Sequence, residues 1–279
     1  MIVVTGVTGQ LGSAFRRRLG DRARYLDRDD LDLADVAAIR PTIERLSPAL
    51  VINCAAYTAV DQAEEDEETA RLVNAAAVGA MAEVSNDIGA SLVTFSTDYV
   101  FDGTSERPYV ESDETKPINA YGRTKFEGEQ LALGASPQTL VIRTSWLLSG
   151  THPNFAATML RLIAAGPVQV EDDQRGHPTF VDDLVAATLD ALEAGATGIL
   201  HLANQGTTTW YGLAREIADL AGLDVDRVQP VGTDAFPRPA LRPANSVLDS
   251  VRFDEFDLAP LPDYHESLDR AVAQLSRQP

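Results

Sequence analysis

Residues 5–12, TGVTGQLG, join an apolar run, IVVT, to a segment with helical character, QLGSAFRRRLG. Three glycines in this spacing allow a tight turn, let backbone amides approach an anion, and let the helix start close against the strand. Gly6, Gly9 and Gly12 therefore predict a strand–turn–helix unit in which the helix N-terminus faces a pyrophosphate. A turn of this kind is informative only inside a series of parallel strands and crossover helices. The rest of the N-terminal half supplies one.

Apolar, β-branched runs at 2–5, 23–26, 49–53, 91–96 and 139–144 alternate with helical patterns at 10–20, 35–46, 68–89 and 118–134. The strands are apolar almost throughout, as expected when both faces of a sheet are covered. This rhythm predicts an α/β fold, a Rossmann-type doubly wound parallel sheet over residues 1–147. Residues 148–279 read as a smaller C-terminal α/β substrate-binding region, with the segment around 177–203 packing back onto the sheet. Helices are expected at 154–166, 180–195 and 211–223, a strand at 198–203, and a Pro- and Arg-rich loop at 230–245.

The second strand closes on Asp27, about 20 residues beyond the glycine turn. A carboxylate there hydrogen-bonds an adenosine ribose and favours NAD, whereas its neighbour Arg28 can pair with the 2′-phosphate of NADP, so the choice between NADH and NADPH stays open. Asp32 and Leu33 fall where a loop flanks the adenine, and Asp32 also suits a helix cap. The fourth strand ends at Thr97 and Asp98, and carboxyl ends of parallel strands are where ligands sit. Thr97 can donate to a carbonyl oxygen on which negative charge develops.

Tyr121 and Lys125 are four apart on the helix that follows, so they share a face. A free phenol titrates at about 10 and needs a nearby cation to exchange a proton readily at neutral pH. Composition sharpens this pair. Of 23 Lys and Arg residues only two are lysines, Lys116 and Lys125. A compact ammonium fits between a tyrosine hydroxyl and a ribose and donates to both, which a planar guanidinium does not do equally well. Elsewhere arginine serves.

The net charge of −19 argues against nucleic acid as a partner, since phosphate backbones are held by clustered basic residues. It also suits a protein kept soluble in concentrated salt, although a GC-rich genome equally favours arginine over lysine. With no apolar run of about 18–20 residues, no membrane span is expected, and the reading is a cytoplasmic protein. Cys54, the single cysteine, reads as a small core residue. His152, His177, His201 and His265 form no ligand pattern, so no catalytic metal is assigned.

Further motifs run through the chain: NCAAYTAVDQAE at 53–64, STDYVFDG at 96–103, PINAYGRTKFEGE at 117–129, RTSWL at 143–147, DDQRGHPT at 172–179, GTTTWYGLA at 206–214 and RPANSVLD at 242–249. With these the chain resembles the extended short-chain dehydrogenase/reductase superfamily and, within it, is similar to the dTDP-4-dehydrorhamnose reductases. The resemblance implies NADH- or NADPH-dependent reduction of the C4 ketone of dTDP-4-dehydro-β-L-rhamnose. It places Gly9, Gln10 and Leu11 on the cofactor diphosphate, Asp27 on the ribose, and Asp32 and Leu33 by the adenine. Ala55, Ala56, Tyr57 and Thr58 fall on the nicotinamide half, with Tyr57 where relatives often carry histidine. Thr97 and Asp98 would contact the sugar, Trp146 would pack on it, Tyr121 would be the proton donor and Lys125 its partner.

In some members an acidic residue after the glycine turn joins a metal-linked dimer contact. Here SAFRRR follows, which leaves Mg²⁺, and a monomer or homodimer, open. Two other readings remain: a reductase of another nucleotide-activated 4-keto-6-deoxy sugar, and a regulatory subunit similar to that of methionine adenosyltransferase. The retained Thr97, Tyr121 and Lys125 argue against the second.

Overall fold

The computed structural model describes residues 1–277. Its first half runs β1 (Ile2–Thr5), α1 (Gln10–Leu19), β2 (Ala23–Leu26), α2 (Val36–Leu46), β3 (Leu50–Asn53), α3 (Gln62–Glu65), α4 (Glu67–Arg71), α5 (Ala77–Asp87), β4 (Ser91–Thr97), α6 (Ala120–Ala135) and β5 (Thr139–Thr144). The second half runs β6 (Leu147–Leu148), α7 (Phe155–Ala165), β7 (Val168–Glu171), β8 (Arg175–Gly176), β9 (Thr179–Phe180), α8 (Val181–Glu193), β10 (Gly198–His201), β11 (Thr208–Thr209), α9 (Trp210–Leu220), β12 (Val228–Val231) and α10 (Tyr264–Leu275).

Six strands form one parallel sheet in the order β10-β5-β4-β3-β1-β2. The chain moves outward from β1 to β2 and then returns to the other side with β3. That reversal opens a crevice at the carboxyl ends of β1 and β3, where ligands of doubly wound sheets bind. Side chains alternate across the sheet as the two-residue period demands. Val4, Ile52, Val93 and Ile142 face one core with Phe15 of α1 and Leu184 of α8. Val3, Val51 and Leu92 face the other with Ile39 of α2 and Met81 of α5. A third core gathers α7, α9 and α10 around Ile163, Ile217 and Leu268.

Three segments differ from the sequence reading. The helix expected over 68–89 runs on without a gap from residue 67 to residue 87 but carries a π-helical stretch, Leu72–Ala76, between α4 and α5. Part of the expected loop at 230–245 belongs to β12, which pairs in parallel with β7. The amphipathic helix α10 follows that loop and closes the third core, with Leu268 and Val272 buried.

Candidate active site

A cleft of about 580 Å³ runs along the carboxyl ends of β1, β3, β4 and β5. Gly6, Gly9, Gln10, Leu11, Asp27, Arg28, Asp32, Leu33, Ala55, Ala56, Tyr57, Thr58, Tyr121 and Lys125 all line it. Gly12 does not line the cleft but shapes it. A Cβ at Gly12 would stand 2.2 Å from the Gly6 carbonyl oxygen, so this glycine lets α1 start against the turn. Gly6 has φ +68, and a Cβ there would meet the Ala55 nitrogen at 2.5 Å. Gly9 caps α1 without a side chain, which leaves the first helical N–H groups to an anion in the cleft. These features fit a dinucleotide diphosphate.

Other side chains in the turn and at the adenine end are engaged with the protein. Gln10 donates to the Leu147 carbonyl at 3.4 Å and accepts from Asn154 at 3.2 Å, so it ties the turn to the start of α7. Asp27 accepts from the N–H groups of Asp29 and Asp30 at 2.9 and 3.1 Å and shapes its own loop. Arg28 is 82% exposed and pairs with Asp32 at 3.3 Å. The Ala34 N–H, foremost, holds the Asp32 carboxyl below its ordinary value, so this residue serves the turn into α2.

Asn74, buried in the π-helical stretch, organises the other end. It accepts from the Tyr57 N–H at 2.8 Å and donates to the Tyr57 carbonyl at 3.1 Å and to Thr124 Oγ1 at 3.2 Å. Thr124 in turn donates to the Tyr121 carbonyl at 3.0 Å. One asparagine thus ties the loop after β3 to the helix bearing Tyr121. Its signal in the sequence is a lone amide in an apolar helical run, RLVNAAAVGA. Thr8, Cys54, Thr69, Thr144 and Leu147 also line the cleft. Cys54, expected in the core, packs half-buried against it and also lines the cleft, and burial pushes its thiol up.

Tyr121 occupies the first turn of α6. Asn119 caps that helix by accepting from the Gly122 N–H at 2.8 Å, and Glu64 accepts from the Ala120 N–H at 2.7 Å. A Cβ at Gly122 would stand 2.1 Å from the Tyr99 carbonyl oxygen, so the helix rests directly on the turn after β4. The Tyr99 ring meets Tyr121 edge-on at 5.7 Å. Burial, then the Asp98 charge, raise the Tyr121 phenol above its ordinary value, with Thr97 opposing.

Lys125 is 4% exposed and donates from Nζ to the Phe95 carbonyl at 2.5 Å. Burial pushes its ammonium down to about 8, with Glu129 opposing. Thr97 donates to Asp98 Oδ1 at 2.8 Å and accepts from the Tyr99 N–H at 3.2 Å. Its proton therefore points to Asp98, not to an open carbonyl position as the sequence reading supposed. Burial pushes Asp98 up to about 6 against the hydrogen bonds from Thr97 and Ser246.

Trp146 adopts φ +44 and stacks on Trp210 at 3.6 Å, with Gly176 against its ring. It stands outside the lining of the dinucleotide cleft. Among the described residues no group of three or more His, Cys, Asp or Glu could hold a metal ion, and no helix is long and apolar enough to cross a membrane.

His177 and His201 are buried away from the cleft lining, and burial pushes each down to about 4. Both stay neutral in the fold, while in the unfolded chain they take up protons below their ordinary value of 6.5. Stability should therefore fall as pH drops from about 6.5 towards 4. Asp98, raised by folding, acts oppositely but is one group against two. The expected loss between pH 7 and 5 is about 2 kcal/mol, read as a lower melting temperature; equal stability at both would show that these rings carry no such shift.

A doubly wound sheet, a glycine turn at its reversal and a tyrosine–lysine pair on the following cleft wall define a nicotinamide-dependent reductase of the short-chain dehydrogenase/reductase type. The chain belongs to the family described as RmlD substrate binding domain, whose pattern it matches over residues 1–277. It is 43% identical to a probable dTDP-4,6-dihydroxy-2-methyloxan-3-one 4-ketoreductase of Streptomyces antibioticus, over 98% of this chain and 95% of that one. It is also 43% identical to a dTDP-4-dehydrorhamnose reductase of Mycobacterium tuberculosis, over 98% and 92%. The crystal structure of dTDP-4-dehydrorhamnose reductase from Bacillus anthracis in complex with NADP superposes with a TM-score of 0.94 at 33% identity, covering 98% of each chain.

Proposed function

We propose that this protein reduces the C4 ketone of dTDP-4-dehydro-β-L-rhamnose to give dTDP-L-rhamnose. The observation that carries the reading is the placing of Tyr121 and Lys125 on the wall of a cleft that suits a dinucleotide, with the buried Thr97–Asp98 pair acting on the Tyr121 phenol from behind. When bound, the nicotinamide supplies the hydride. Tyr121, kept protonated by burial, gives its proton to the sugar O4 as negative charge develops there. Lys125 holds the nicotinamide ribose and stabilises the forming phenolate. Thr97 polarises the carbonyl once its proton turns from Asp98 to O4.

Both NADH and NADPH are accommodated in this reading. Arg28 is exposed and held by a single surface pair that a 2′-phosphate can replace, and Asp27 borders the same end. The similarity to the S. antibioticus relative favours one second reading, a ketoreductase acting on a different dTDP-linked sugar.

The test supplies dTDP-4-dehydro-6-deoxyglucose with NADH or NADPH in turn, with and without a 3,5-epimerase, at low and high salt. Epimerase-dependent oxidation of the cofactor with dTDP-L-rhamnose as product is expected. Reduction without the epimerase would favour the second reading, and no oxidation in any arm would overturn the first.

A further inference from the structure

Behind Lys125 lie two charged side chains that the proton transfer does not touch, Glu129 and Arg143. Lys125, Glu129 and Arg143 are respectively 4%, 2% and 1% exposed. Glu129 follows Lys125 by one helical turn and shares its face of α6. Its carboxylate accepts from Arg143 Nε at 2.9 Å and Nη2 at 2.6 Å, and from the Ser96 hydroxyl. Arg143 Nη1 lies 3.4 Å from His201 Nε2, and its guanidinium lies over the Phe101 ring at 5.1 Å. His201 Nδ1 stands 2.9 Å from the Asp249 carbonyl oxygen, which puts the ring proton on Nδ1 and leaves Nε2 to accept from Arg143.

This arrangement encloses two cations and one carboxylate. The hydrogen bond that Lys125 makes is to a neutral carbonyl, which orients the ammonium but adds no opposite charge. An ammonium buried without a counter-charge gives up its proton. Glu129, on α6, is the charged group that acts on Lys125; Asp98, from the turn after β4, acts on Tyr121, and Arg143, from β5, pairs with Glu129, with neutral His201 of β10 behind. Asp98 is engaged with Thr97, towards the sugar side. Glu129 is the carboxylate on the Lys125 side.

We propose that Glu129 is a positioning residue that keeps Lys125 charged and in place, and that Arg143, held to Glu129 by two hydrogen bonds, competes with Lys125 for the carboxylate charge. Two opposed effects follow. Removing the carboxylate strips Lys125 of its counter-charge and should favour the neutral amine. Removing the guanidinium deletes a like charge, frees the carboxylate for Lys125 and should favour the ammonium. A purely structural role would not give opposite signs. The charge relation stands by itself; its consequence for turnover rests on the reading of Lys125 under Proposed function.

The sequence makes the test direct, because only two lysines need be told apart. Protein labelled with ¹³C at the lysine ε-carbon gives one signal from exposed Lys116, identified by its loss in Lys116→Arg, and one from Lys125. Glu129→Gln should lower the Lys125 titration midpoint by about one pH unit or more, and Arg143→Met should raise it. If either variant fails to fold, the sign of the other decides. An unmoved midpoint, or a shift of the wrong sign, overturns the proposal. Where turnover is measurable, its alkaline limb should follow the same midpoints. Expected shifts in a protein with no ketosugar reduction would uphold the charge relation and reject the assigned reaction.

Discussion

Turnover on the ketosugar should fall by about 10²–10⁴-fold when Tyr121 is replaced by phenylalanine. The substitution removes one oxygen and little else. The ring keeps its edge contact with Tyr99, and the helix start keeps its Asn119 cap and its Glu64 contact, since none of these uses the hydroxyl. The proton for O4 then has to come from elsewhere in a water-poor corner of the cleft. Dinucleotide affinity should change by no more than about tenfold, the worth of one hydrogen bond. Single-turnover kinetics with NAD(P)H titration separates the two, and a phenylalanine variant with near-normal turnover would remove Tyr121 from the role of donor.

Gly12→Ala should abolish measurable dinucleotide binding and lower stability by about 3 kcal/mol. The atoms a new Cβ would meet are Gly6 O at 2.2 Å, Gly6 C at 2.7 Å and Val7 Cα at 2.8 Å, all backbone. No side chain can rotate aside, so α1 must lift from the turn and its N-terminus moves off the diphosphate position. Gly134→Ala is the matched control. It lies near the end of α6 with nothing within 4 Å of its Cβ position and should be neutral or stabilising by up to about 1 kcal/mol. Normal NADH binding by Gly12→Ala would show that the cradle is looser than its geometry implies.

Much of the molecule is legible from neighbours along the chain. β1, β3, β4 and β5 announce themselves because burial on both faces demands largely apolar runs, and α1, α2 and α6 through their periodicity. What escapes that reading is short or distant. β6, β8, β9 and β11 span two residues each, too few for any pattern. β12 contains Pro230, which argues against a strand, yet it pairs with β7 at the edge. The π-helical stretch before β4 carries Asn74, whose role depends on Tyr57 and Thr124, 17 and 50 residues away.

The candidate site divides in the same way. The glycine turn, the acidic end of β2, the Thr-Asp step after β4 and the Tyr-Lys pair are determined by the sequence alone, because each depends on a local spacing: a backbone turn, a strand end, one helical repeat. Tertiary structure alone decided where their hydrogen atoms and charges go. It turned the Thr97 hydroxyl to Asp98, sent the Gln10 side chain to Leu147 and Asn154, and stacked Trp146 on a ring 64 positions later. It also set Glu129 and Arg143 behind the lysine that the composition had singled out. Burial removes water as the default partner, so each polar group takes whichever partner packing brings within reach, and no local pattern records that choice.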